Sequence, residues 1–132
     1  MKKGIFDLSD KVALITGGNG GIGLGMAEGL AECGAKIAIW GRNKEKNEES
    51  KNLLSKYNIE VNTYEVDVSQ EKEVIDNVKS VMKGFGRIDS VFANAGMNVF
   101  GGSFEEMNTD SYRKVLSVNL DGVFFTLRET TK

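Results

Sequence analysis

The segment Thr16-Gly17-Gly18-Asn19-Gly20-Gly21-Ile22-Gly23 stands directly after the apolar run Val12-Ala13-Leu14-Ile15 and leads into a helix-like stretch. The chemistry such a segment can do is anion binding. After a buried strand the chain has to turn sharply, expose backbone N–H groups and begin a helix with nothing bulky in the way. Free N–H groups and the positive end of the helix dipole together favour a phosphate there. No Gly-Lys-Ser or Gly-Lys-Thr follows, which excludes a phosphate-transferring P-loop.

Four other positions carry groups able to meet a ligand at the ends of apolar runs. Arg42 follows Gly41 after the second run, and its guanidinium can grip a phosphate through charge-assisted hydrogen bonds. Asp67 follows the third run, with Val68 next to it. Asn94 follows the fourth, within Ala93-Asn94-Ala95-Gly96. Asn119 lies in the stripe Tyr112, Val115, Leu116, Asn119, Val123, Phe124, Leu127, as a polar residue on an otherwise apolar helix face. A buried amide needs partners, because leaving it unpaired costs about 1–3 kcal/mol. Each position also has a plain structural reading. The glycines form a tight turn without a ligand, Arg42 is solvated, Asp67 ends a strand ahead of a Ser69 cap, Asn94 steadies a loop, and Asn119 is a satisfied core amide.

The elements that must position these groups alternate strand and helix. Strands are expected at Lys11–Thr16, Lys36–Trp40, Val61–Val66 and Ser90–Ala93. The first helix runs from about Ile22 to Cys33, with Ile22, Met26, Leu30 and Cys33 on one stripe. Gly25 and Gly29 permit close backbone approach, and Gly34 ends the helix. A polar helix at about Lys44–Lys56 is anchored by Leu53 and Leu54. The third helix, capped by Ser69, repeats Val74, Ile75, Val78, Val81, Met82 and Phe85. A fourth covers Thr109–Thr130 after a glycine-containing loop. Four successive βα units imply an α/β fold, a doubly wound parallel sheet of Rossmann type. Right-handed crossovers give strand order 3-2-1-4 and put the ligand beyond the carboxyl ends of strands one and four.

Bulk properties narrow the function. The 132 residues carry a net charge of −2, which argues against a nucleic-acid surface. No apolar run is long enough to span a bilayer, and the basic start Met1-Lys2-Lys3-Gly4 has no apolar segment behind it. The one cysteine, Cys33, excludes an internal disulfide, suits a reducing cytoplasm and reads as a small core residue. Histidine is absent, which removes the commonest general base and metal ligand, and no metal site is expected.

The glycine segment fits two spacings. Gly18-x-Gly20-x-x-Gly23 matches the general dinucleotide fingerprint. Thr16-Gly17-x-x-x-Gly21-x-Gly23 resembles the Thr-Gly-x-x-x-Gly-x-Gly mark of the short-chain dehydrogenase/reductase family. Asp67-Val68 stands where that family sets an acid and its neighbour against adenine. Ala93-Asn94-Ala95-Gly96 is similar to the family's Asn-Asn-Ala-Gly with the first Asn replaced. Val118-Asn119-Leu120 stands where the family keeps an active-site asparagine. The resemblance extends from about Leu8 to the end. It implies residues 1–132 as the N-terminal portion of an NAD(P)-binding Rossmann domain. Thr16, Gly17, Asn19, Gly20, Gly21, Ile22, Gly23, Arg42, Asp67, Val68, Asn94, Ala95 and Gly96 would hold the cofactor, and Asn119 would belong to the catalytic set.

An acid at the end of strand two marks a preference for NAD, because it binds the ribose hydroxyls. Gly41 holds that position here and Arg42 follows, so NADP is expected over NAD. The resemblance implies hydride transfer between NADP(H) and a small-molecule alcohol or ketone, with a faint likeness to sugar-acid and polyol members. It also implies a homo-oligomer through helix four, with the strand-four edge as a second association surface. The family's proton donor is a tyrosine with lysine four residues later. Residues four beyond Tyr57, Tyr64 and Tyr112 are Val61, Val68 and Leu116, and the family's catalytic serine has no counterpart. The chain alone is therefore expected to be inactive, as half of a longer domain. The alternative is a truncated module that binds nucleotide or itself without catalysis.

Overall fold

All five residues of β1, Val12–Thr16, are buried, as expected of a parallel strand covered on both faces. The computed structural model describes residues 4–99 and 102–132. The basic start, Met1-Lys2-Lys3, and part of the glycine-containing loop after the fourth strand lie outside the described residues. β1 pairs in parallel with β2 (Lys36–Gly41) and β4 (Ser90–Phe92), and β2 pairs with β3 (Val61–Glu65), giving the order β3-β2-β1-β4. The strand alternation divides the core in two. Ala13, Ile15, Ile37 and Ile39 face α1 (Gly21–Glu32) and α2 (Lys44–Leu54). Leu14, Ala38 and Trp40 face α3 (Glu71–Phe85) and the long final helix. Each fully buried Leu or Ile contributes about 1.5–3 kcal/mol, so the two central strands anchor the domain.

The final helix is continuous in course but not in type. α4 (Thr109–Leu116) passes through a π turn at Ser117–Asp121 into α5 (Gly122–Thr130). Asn108 caps α4 by accepting from the Ser111 N–H, and Asn43 caps α2 through the Lys46 N–H. Gly34 and Gly86 follow α1 and α3 with φ of +90° and +79°, left-handed values that glycine adopts without strain.

Several expectations are corrected, and for the buried faces of α1 and the final helix the cause is shared. The buried face of α1 is Gly23, Ala27 and Ala31, whereas Ile22 is 76% exposed and Met26 lies at the surface. Close approach occurs at Gly23, and a Cβ at Gly25 or Gly29 would meet nothing. In the final helix, Val118, Gly122 and Thr126 are buried, while Tyr112, Asn119, Phe124 and Leu127 of the expected stripe are exposed. Small residues let a helix sit close to the sheet, and the larger apolar residues beside them then flank the contact. Cys33 is only half-buried at the end of α1. Leu54 anchors α2 together with Asn47 and Ser50, and Leu53 is exposed.

Ser69 does not cap α3. Its N–H and hydroxyl both donate to Asp67 Oδ1, at 3.0 and 2.7 Å, and Gln70 takes the cap position without a side-chain bond. Strand ends differ from expectation by one residue. No helix among the described residues is long and apolar enough to cross a membrane.

Candidate functional site

The carboxyl ends of β1 and β4 are latched together by two residues of the glycine and Asn94 segments. The Thr16 hydroxyl accepts from the Ala95 N–H (2.9 Å) and donates to the Phe92 carbonyl (3.4 Å). The Asn94 amide donates to the carbonyls of Thr16 (3.0 Å) and Gly17 (3.5 Å). Gly17 N–H donates to the Trp40 carbonyl at 2.7 Å, which ties the loop to β2 as well. The loop needs its glycines for two reasons. Gly17 and Gly21 have φ of +65° and +50°. A Cβ at Gly23 would lie 2.6 Å from Asn94 Nδ2 and closer still to the Gly17 carbonyl oxygen. Gly20 holds the N-cap of α1 in extended backbone with no side-chain cap, so the first-turn N–H groups stay available to an anion.

Beside this loop opens a cleft of about 150 Å³ lined by Gly17, Asn19, Arg42, Asp67, Val68, Ala95 and Gly96, with Trp40, Gly41, Val66 and Val118 completing its wall. The Arg42 side chain is exposed, and among the described residues no carboxylate pairs with it. Trp40 is fully buried, and its Nε1 has no hydrogen-bond partner among the described residues. An unpaired buried donor of this kind costs about 1–3 kcal/mol. Among the described residues no group of three or more His, Cys, Asp or Glu could hold a metal ion. A guanidinium and a carboxylate in a glycine-lined cleft, with the N-terminus of α1 at the far end of the adjoining loop, suit a phosphate-bearing nucleotide.

A family model for short chain dehydrogenase matches residues 11–132. The chain belongs to the short chain dehydrogenase family. Among similar proteins, a probable NADP-dependent mannitol dehydrogenase of Yarrowia lipolytica is 35% identical over 121 residues, covering 91% of this chain and 44% of the relative. An NADP-dependent (R)-specific alcohol dehydrogenase of Lentilactobacillus kefiri is 38% identical over 121 residues, covering 92% and 47%. The crystal structure of an NAD+-bound xylitol dehydrogenase superposes with a TM-score of 0.91 at 35% identity, over 94% of this chain and 48% of that one. The chain spans about half the length of the curated relatives it matches.

In this chain the expected residues fall into three groups. Gly17, Asn19, Arg42, Asp67, Val68, Ala95 and Gly96 line the cleft. Thr16, Gly23 and Asn94 lie behind it and spend their polar atoms or close packing on holding the loop. Gly20, Gly21 and Ile22 form the start of α1, outside the cleft lining, with the Ile22 side chain toward solvent. Asn119 is not a buried amide. It sits in the π turn, accepts from the Met97 N–H (2.8 Å) and donates to the Met97 carbonyl (3.0 Å), and so fixes the chain just beyond Gly96.

Two contributors escaped the sequence pattern. Gly122 lets α5 reach Val68, since a Cβ there would lie 2.7 Å from Val68 Cγ2. Asn47, in the first turns of α2, is buried and donates to the carbonyls of Gly41 (3.0 Å) and Tyr64 (3.2 Å) while accepting from Asn19 (2.7 Å). The only signal for Asn47 was its spacing from Leu54, which a polar residue does not advertise.

Proposed function

We propose that this chain is the cofactor-binding part of an NADP(H)-dependent oxidoreductase that interconverts a small alcohol and its ketone. The observation that carries the reading is the end of β2. Gly41 is buried and brings no acid, and the Arg42 guanidinium, which has no carboxylate partner among the described residues, stands next to it in the wall of the cleft. An acid there would favour the ribose hydroxyls and repel a 2′-phosphate, whereas a guanidinium attracts it. Two relatives named as NADP-dependent support this, and the similar xylitol dehydrogenase was solved with NAD+ bound. The names of the mannitol and xylitol enzymes make polyols the first substrates to test.

In this reading the N–H groups of Gly20, Gly21 and Ile22 face the cofactor's phosphates, and Asn19 and Arg42 face the 2′-phosphate. Asp67 and Val68 border the adenine, with Ala95 and Gly96 along the remaining wall. Thr16, Gly17, Gly23 and Asn94 hold the loop in shape. When bound, NADP(H) supplies or receives the hydride. Asn119 keeps the Gly96–Met97 chain in place beside the reacting end. No Tyr-x-x-x-Lys occurs in the 132 residues, so they bind cofactor without turnover by themselves, and the proton donor has to come from outside them. Self-association through the exposed Tyr112, Phe124 and Leu127 and the open edge of β4 belongs to the same reading, as does a cytoplasmic location.

Titration of NADPH and NADH into the chain tests the cofactor, with the single tryptophan, Trp40, as a reporter in the cleft wall. NADPH should bind about tenfold tighter or more, and Arg42→Ala should erase the difference. Tighter NADH binding that is indifferent to Arg42→Ala would refute the reading.

A further inference from the structure

Gly41 has an ordinary backbone conformation, absent from the glycines with positive φ, so nothing in its own torsions forbids a side chain. Space does. A Cβ built there would lie 2.5 Å from Asn47 Oδ1 and 2.7 Å from Asn19 Cγ, and nearer still to Asn19 Nδ2. Real Cβ atoms essentially never come within 3.0 Å of another heavy atom. The obstacle is a single hydrogen bond, Asn19 Nδ2 to Asn47 Oδ1 at 2.7 Å, that crosses directly over the Gly41 Cα.

The orientation of that bond is not free to change. Asn47 is 2% exposed, and both hydrogens of its amide are committed, to the Gly41 and Tyr64 carbonyls. Its Oδ1 must therefore point at the loop, and Asn19 must answer with its NH2. One buried amide thus joins the ends of β2 and β3 to the tip of the glycine loop. Asn19 keeps a second amide hydrogen, and it shares the cleft wall with Arg42. Nothing in the general glycine code calls for an amide on the neighbouring helix.

We propose that Asn47 is a specificity-determining positioning residue: by holding Asn19 across Gly41 it bars an acidic side chain from the end of β2 and sets the Asn19 amide beside Arg42 for a 2′-phosphate. The proposal rests on the NADP(H) reading above. Exchange of Gly41 for an acid is then insufficient to convert the pocket, because the Asn pair occupies the space the new side chain needs. Conversion requires removal of Asn47 as well.

The test uses the full 132-residue chain and two adenosine probes, adenosine 2′,5′-bisphosphate and adenosine 5′-monophosphate, with Trp40 fluorescence as the readout. Each variant is scored by the ratio of its two dissociation constants. That ratio is independent of the fraction folded, because a folding defect scales both constants alike. The unaltered chain should prefer the bisphosphate. Asn47→Ala should cut that preference about tenfold while changing 5′-monophosphate affinity by less than about threefold. Gly41→Asp should weaken both probes. Gly41→Asp combined with Asn47→Ala should recover the 5′-monophosphate and favour it over the bisphosphate.

Equal weakening of both probes by Asn47→Ala would reduce Asn47 to a structural role and overturn the proposal. So would a Gly41→Asp chain that favours the 5′-monophosphate with Asn47 intact. Preference of the unaltered chain for the 5′-monophosphate would instead overturn the cofactor reading beneath it.

Discussion

Alanine at Gly23 and at Gly25 should change stability in opposite directions, although the two positions lie in the same helix two residues apart. A Cβ at Gly23 would stand 2.6 Å from Asn94 Nδ2, where ordinary contact begins at 3.4 Å, so that amide must withdraw by about 0.8 Å and the nearer Gly17 carbonyl oxygen by more. The neighbours are loop backbone and an amide committed to the Thr16 carbonyl, neither of which yields without cost. Overpacking of this kind costs about 1–3 kcal/mol, and loss of the Asn94 bond adds about 1 kcal/mol. The better helix propensity of alanine returns about 1 kcal/mol. The net expectation for Gly23→Ala is destabilisation by about 1–3 kcal/mol. At Gly25 nothing lies within 4 Å of the new methyl, so only the propensity gain of about 0.5–1 kcal/mol remains. The two variants should differ in melting temperature by on the order of 10 °C. Thermal unfolding followed by circular dichroism and by Trp40 fluorescence measures both. Gly23→Ala should also lose nucleotide binding, which Gly25→Ala should keep. Equal melting temperatures would show that the loop does not press on α1, and the close-approach account of the glycine segment would fall.

Two more outcomes follow from other parts of the fold. Gly122→Ala should push Val68 out of the cleft wall and cost about 1–3 kcal/mol, and Val68→Ala in the same chain should restore part of that loss. A strictly additive double-mutant cycle would remove the link between α5 and the cleft. The Arg87 guanidinium, helped by the Val12 N–H, holds the Asp89 carboxyl at about 2, below its usual 3.8. A depressed folded value means stabilisation present in full above the unfolded value near 4 and lost as pH falls toward 2. Asp89→Asn should therefore be less stable at neutral pH and lose less between pH 4 and 2, as read from urea midpoints. Parallel pH profiles for the two proteins would contradict the pairing.

The order of elements and the strand order needed only local patterns: apolar runs of strand length, helical repeats between them, and glycine at the turns. Crossover handedness then left one arrangement, because a right-twisted parallel sheet admits little else. The glycine loop, Arg42, Asp67 and Ala95-Gly96 were legible for the same reason, since each stands at the carboxyl end of a strand, where a doubly wound sheet opens. The faces of the helices were not legible. Apolar periodicity selected Ile22, Met26, Phe124 and Leu127, while the buried positions are Gly23, Ala27, Gly122 and Thr126. Hydrophobic pattern measures side-chain transfer from water, but closeness of packing depends on how small a residue is, and small residues give little signal. Thr126 is buried with its hydroxyl satisfied by the Gly122 carbonyl at 2.7 Å, a bond no periodicity reveals.

Asn47 marks the sharper limit. Its neighbours Asn19, Gly41 and Tyr64 lie 28, 6 and 17 residues away, and only the folded sheet brings their amide and carbonyls within reach of one side chain. The sequence by itself determined which backbone turns and charged groups arrive at the cleft, because those follow from local geometry and strand ends. Tertiary structure alone decided how the rim of that cleft is closed over Gly41, because that depends on hydrogen bonds between segments that meet only after folding.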